Sequence, residues 1–149
     1  MSIRRVRKFL RLSAGERWLF LKASLMLWMV KLGLIVLPFE TLRRYLDKLV
    51  RLPPGFSMSG ERSADQVVWA VELAGRLMPR ASTCLTQALS AQVLLLRRGY
   101  PALVHIGTVR GERGEFEAHA WVESEDEVVL GGDELERYTK LTVLGGASR

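Results

Sequence analysis

The sequence predicts an α+β domain in which helices cover one face of a small antiparallel sheet. Three observations carry that expectation. Residues 14–98 read as successive helices parted by prolines, whereas residues 102–130 read as short β-branched or alternating runs parted by polar turns. Helices followed by a run of strands is the order of an α+β layer pair. The chain has 149 residues, enough for one domain that buries roughly 70% of the surface its unfolded form exposes. No repeat, low-complexity segment or strong boundary divides it, so residues 1–149 are read as one domain. Its 1–79 half is helical and basic, and its 80–149 half holds a cysteine-bearing helix and the strands.

The elements follow in order. Ser13 and Glu16 have capping-box spacing, the hydroxyl accepting from one backbone N–H while the carboxylate reaches back, and open a helix over 14–36. Pro38 stops it. In residues 39–52, Leu42, Leu46, Leu49 and Leu52 recur at helical spacing with charges opposite, an amphipathic second helix. The breakers of residues 53–62 make a loop. Ser63 and Gln66 repeat the capping spacing and open a third helix that runs to about Met78, before Pro79. A fourth starts at Ser82 or Thr83 and ends at Arg98, with Gly99 placed to close it in the left-handed conformation. Strands are expected over 102–109, 116–123 and 127–130 as a meander, and a last helical turn over 133–138.

The most apolar stretch, residues 18–38, is interrupted by Lys22 and Lys31. No window reaches the roughly 18 uninterrupted apolar residues of a spanning helix. The expectation is a buried helix, with docking on a membrane or on another protein as the alternative. Charge is uneven: residues 1–51 carry Arg4, Arg5, Arg7, Lys8, Arg11, Arg17, Lys22, Lys31, Arg43, Arg44, Lys48 and Arg51 against Glu16, Glu40 and Asp47. That is a net +9, and the total of +6 leaves −3 for the remainder. Such asymmetry suits an acidic partner, a nucleic acid or an anionic surface, or a merely solvated basic face. Interleaved aromatic and basic residues, the pattern of single-strand binding, are not evident in the strands. Cys84 is the sole cysteine, so no disulfide forms within the chain, and the Arg-rich start lacks the pattern of a secretion signal; the expected compartment is the cytoplasm.

Cys84 falls in the first turn of the fourth helix. Backbone N–H groups and the helix dipole there favour a thiolate, and the same N–H groups suit an oxyanion. The bland alternative is a small buried hydrophobe. A base is needed, and the chain offers His105 and His119. In the second strand, Phe116, Ala118, Ala120 and Val122 alternate with Glu117, His119, Trp121 and Glu123, which sets His119 opposite the small apolar series and beside an aromatic. Reflection about a hairpin at Ser124, Glu125 and Asp126 brings Gly131 to Asp133 opposite His119. Asp133 is the candidate orienting carboxylate, Glu134 its neighbour in reserve, and Asp126 lies at the hairpin tip. Gln87, one turn from Cys84, and Trp121 are candidates to line the substrate cleft, Trp121 rather by packing. Arg80 is a cap or a contact for an acidic substrate group.

The runs CLTQALSAQVLLLRRGYPALVHIGT, FEAHAWVE and VVLGG resemble the leader peptidases of lasso peptide biosynthesis, a family of transglutaminase-like cysteine proteases, over about residues 80–141. The basic, Leu-rich first half is similar only in character. The resemblance implies a transglutaminase-like, papain-like core with Cys84, His119 and an aspartate as its triad. It implies cleavage of a ribosomally made precursor between leader and core, upstream of a separate ATP-dependent lasso cyclase. The chain has no room for the fused leader-recognition domain, so it resembles the split form that works with a separate recognition protein. No cofactor, metal site or phosphate-binding glycine loop is read in the sequence. Two further classes stay open: a non-enzymatic basic adaptor, and a transglutaminase-like acyltransferase.

Overall fold

The computed structural model describes residues 14–51, 64–78, 83–132, 135 and 138–145. Four helices, α1 (Ala14–Val36), α2 (Phe39–Arg51), α3 (Ala64–Leu77) and α4 (Cys84–Arg97), precede four strands, β1 (Leu103–Arg110), β2 (Phe116–Ser124), β3 (Glu127–Leu130) and β4 (Thr139–Gly145). The α+β class expected from the sequence is the one observed. Ser13, Ser63, the 53–62 loop and Arg80 lie outside the described residues.

α4 is the centre of the molecule. It is in contact with α1, α2 and α3 and with strands β1 and β2. Such a helix must be apolar nearly all round. Ala88, Leu89, Ala91, Val93 and Leu95 are buried, together with the polar Thr86, Ser90 and Gln92. Each large aliphatic side chain buried there contributes about 1.5 to 3 kcal/mol relative to exposure. Gln92 is the polar tie: its Nε2 donates to the carbonyls of Ala102 (3.2 Å) and Leu144 (2.8 Å), and its Oε1 accepts from Arg43 Nη1 (2.8 Å). Gly99 closes the helix with φ +84°, as its position implied.

α1 departs from the expectation of a buried helix. Leu19, Ala23, Met26, Leu27 and Val30 are buried in the core, and α1 packs on α3 and α4. The other face is exposed: Trp18, Leu21, Leu25, Trp28, Met29, Leu32, Ile35 and Val36. An apolar run says that two faces are hydrophobic, but only tertiary packing decides which is covered. Mean hydropathy reaches 1.9 over an 18-residue window within Gly15–Val36, so by length and composition this helix is long and apolar enough to cross a membrane, despite its two lysines.

The sheet is antiparallel throughout, in the order β3-β2-β1-β4. β4 is the main correction to the sequence reading, which ended the sheet at Leu130. It pairs with β1 from Leu103↔Gly145 to Thr108↔Thr139, with a register shift between Ile106 and Gly107. The residues of β4 are largely exposed, so no one-sided alternation marks it as a strand. The β2–β3 hairpin closes at Ser124↔Glu127, one residue tighter than a turn centred on Glu125. Glu125 (φ 52°) and Asp126 (φ 66°) are its two left-handed central residues, as a primed two-residue turn requires. Val104, Ala120, Val122 and Leu130 join the helical core. Of the expected turn over 133–138, Leu135 is 3₁₀ and Tyr138 N–H donates to its carbonyl at 3.0 Å; the intervening residues lie outside the description.

Candidate active site

The turn that carries Cys84 is fixed by two threonines. Thr83 is the N-cap of α4, in extended backbone conformation (φ −110°, ψ 166°). Its Oγ1 accepts from Thr86 N–H at 3.2 Å, and its own N–H donates to Thr86 Oγ1 at 2.7 Å. Thr86 Oγ1 in turn donates to the Thr83 carbonyl at 2.9 Å. This is a capping box with threonine in the place usual for Glu or Gln, a departure from the usual sequence pattern. The first intrahelical bond runs from Gln87 N–H to the Thr83 carbonyl (3.0 Å). Cys84 and Leu85 precede it, so their N–H groups are among those a helix leaves without an intrahelical acceptor. Cys84 is half-buried, packed against the edge of the core, and Gln87 is half-buried one turn on.

β2 carries the imidazole. His119 pairs with Gly107, and Trp121 with His105. Alternation sends Ala120 and Val122 into the core with the helices and leaves His105, His119 and Trp121 on the other face. Trp121 is stacked between the two histidines, with ring centroids 5.5 Å from His105 and 6.1 Å from His119. Tyr138 lies against the other side of the site, its ring 5.1 Å from that of His119. The backbone carbonyl of Gly131 stands 2.7 Å from His119 Nε2. A carbonyl only accepts, so Nε2 carries the proton and, in the neutral ring, the basic lone pair is on Nδ1.

His105 is engaged elsewhere. It is buried, its Nε2 is 2.9 Å from Glu123 Oε2 although off the line of a hydrogen bond, and its Nδ1 has no partner among the described residues. Trp121 is only 2% exposed. It packs beside His119, the packing role that the sequence reading preferred for it. Asp133 and Glu134 lie outside the described residues. Among the described residues, His119 is brought together with Trp121, Gly131 and Tyr138, α4 touches β2, and no hydrogen bond joins Cys84 to His119. No group of three His, Cys, Asp or Glu residues there has the arrangement of a metal site.

The first position of a capped helix thus holds the sole cysteine, and a strand packed against that helix holds a histidine on its other face. The model of the transglutaminase-like superfamily matches residues 26–143, from the middle of α1 to β4. The chain belongs to the transglutaminase-like superfamily. Membership places the helix bearing Cys84 and the strands β1 to β4 within one family domain, and it takes in most of the helical half, where the sequence showed likeness only in character. No curated protein and no solved structure matches this superfamily member significantly. Thr86 and Tyr138 are the neighbours of the site that sequence reasoning missed. A Thr-x-x-Thr spacing was the available signal for Thr86; nothing in the sequence marked Tyr138, while Gly131 falls where the hairpin reflection put it.

Proposed function

We propose that the chain is a cysteine peptidase that removes the leader from a ribosomally made lasso peptide precursor in the cytoplasm. It acts with a separate leader-recognition protein and ahead of the ATP-dependent cyclase. The observation that carries the reading is the position of the sole thiol, at the first residue of a threonine-capped helix that packs on the strand bearing His119. The superfamily includes cysteine proteases and acyltransferases, which supports thiol chemistry at this position.

In this mechanism His119 Nδ1 takes the proton of Cys84, and the thiolate attacks the scissile carbonyl to form a C–S bond. The N–H groups of Cys84 and Leu85 receive the oxyanion. As the C–N bond breaks, His119 passes its proton to the leaving amine, which becomes the N-terminus of the core. His119 then activates water, which cleaves the thioester and returns the thiol. The Gly131 carbonyl holds Nε2, and Asp133, or Glu134 beside it, supplies the carboxylate that stabilises the imidazolium. Gln87 lines the cleft. Contacts between Cys84 and His119 tighten when substrate binds, as catalytic hydrogen bonds commonly do.

The test is cleavage of the precursor by the full chain in the presence of its recognition protein. Cys84→Ala and His119→Ala abolish turnover, and His105→Ala retains a substantial part of it. Alkylation of Cys84 by iodoacetamide at neutral pH slows in His119→Ala. Undiminished cleavage by Cys84→Ala removes the peptidase reading. Product masses separate hydrolysis, which adds the elements of water, from acyl transfer to an amine.

A further inference from the structure

The exposed side of α1 has no role in the site. Its residues Trp18, Leu21, Leu25, Trp28, Leu32 and Ile35 recur at alternating steps of three and four, with Met29 and Val36 beside them. At 100° per residue they form one stripe about 120° wide, opposite the buried face. It runs roughly 27 Å along the helix. Exposure is high at its middle and end, 69% at Leu25 and 70% at Ile35. Isolated exposed hydrophobes are ordinary, but a contiguous apolar stripe of this length marks an interaction surface.

Three observations narrow the occupant. The charged residues bordering the stripe, Arg17, Lys22 and Lys31, are all basic, and the exposed charges of α2, Arg44, Lys48 and Arg51 against Glu40, are net positive. A second copy of the chain would bring these like charges together, so the occupant is anionic. The stripe offers no hydrogen-bonding side chain apart from two indoles, and Trp28 Nε1–H already donates to Met78 Sδ at 3.2 Å. A reversible protein interface is only a little more than half apolar and carries a hydrogen bond for every 100 to 200 Å² or so; hydrocarbon asks for none. Indoles at the end and middle of the stripe, with lysines along its borders, are the pattern of a helix lying at a bilayer surface.

We propose that α1 seats this protein in the plane of an anionic membrane, its exposed apolar stripe entering the acyl boundary and its bordering basic residues meeting lipid headgroups. The helix does not span: Leu19, Ala23, Leu27 and Val30 are locked in the core against α3 and α4, and a spanning pose would extract them into lipid. The site on β2 is independent of this surface, so the proposal stands apart from the peptidase reading.

The experiment is co-sedimentation of the full chain with vesicles of phosphatidylcholine alone and of phosphatidylcholine with phosphatidylglycerol, at low and at high salt. The wild type pellets with the anionic vesicles, and salt weakens the association. Leu25→Glu/Leu32→Glu, both at exposed positions, weakens partition by roughly a hundredfold or more at unchanged circular dichroism. Lys22→Gln/Lys31→Gln weakens it by about 25-fold, roughly fivefold per lysine. Absence of pelleting with anionic vesicles, or pelleting undiminished in the Leu25→Glu/Leu32→Glu variant, overturns the proposal. So does binding only to an acidic amphipathic peptide, which would give the face to a protein, or a wild-type dimer in solution that the leucine variant dissolves while vesicles are ignored.

Discussion

The indole of Trp121 lies across Gly107: a Cβ built on that glycine would stand 3.0 Å from Cη2 and Cζ3 of the ring and 3.0 Å from the carbonyl oxygen of Thr139. Gly107 thus leaves the room in which Trp121 reaches over the sheet to His119, while β4 closes the other side. Gly107→Ala forces ring or backbone to shift. A loss of about 1 to 3 kcal/mol, the usual cost of overpacking, is expected in urea unfolding. Precursor cleavage falls more than stability alone accounts for, because the ring that supports His119 moves. Unchanged stability would mean that the sheet relaxes there freely.

Thr83→Ala removes the acceptor for Thr86 N–H. A lost N-cap costs about 1 kcal/mol, which a thermal melt resolves. The same change loosens the turn that presents Cys84, so the rate of iodoacetamide alkylation changes with it. Thr83→Ser restores both, since the hydroxyl is kept.

Gln92→Leu fills the same space but removes the amide from which the carbonyls of Ala102 and Leu144 accept and to which Arg43 Nη1 donates. A buried hydrogen bond lost on one side costs about 1 to 3 kcal/mol. The expected outcome is a fall in the denaturant midpoint worth about 2 kcal/mol or more with the slope unchanged. Neutral behaviour would show that water or other groups replace the amide.

Burial, and the nearby charges of Arg98 and Arg97, hold the Lys22 ammonium below its ordinary 10.5. A depressed lysine pKa means that the folded state disfavours the charged form, so the protein carries a small destabilisation at neutral pH that fades as pH rises toward 10.5. Lys22→Gln should melt at the same temperature as the wild type or higher at pH 7, and the gap should close as the pH approaches that value. A lower melting temperature would mean that the contact of Lys22 with the Trp18 ring outweighs the cost of burial and the repulsion.

How much of this was legible in the sequence depended on what each signal reports. Prolines, capping residues and Gly99 act locally, and the four helices fall within a residue or two of where those signals put them. The strands β1 to β3 showed themselves by alternation and β-branching. β4 did not, because it lies at an edge with both faces largely exposed. The tight turn at Glu125 and Asp126 places Gly131 beside His119, as reflection about that hairpin implied, and its backbone carbonyl meets the ring, a contact that side-chain reasoning does not reach. The uncovered side of α1 was invisible for a different reason. Periodicity identifies an apolar face, but its covering depends on how many neighbours the fold provides.

β4 has one further consequence. It ends the sheet in the order β3-β2-β1-β4, and among the described residues no further strand pairs with its outer edge. Leu141 and Val143 are exposed on it, an inviting rail for a stray extended polypeptide. Lys140 interrupts that rail with a charge, and the register shift where β1 meets β4 bends it out of flatness. The rim is thereby kept open yet unsuited to fibril growth.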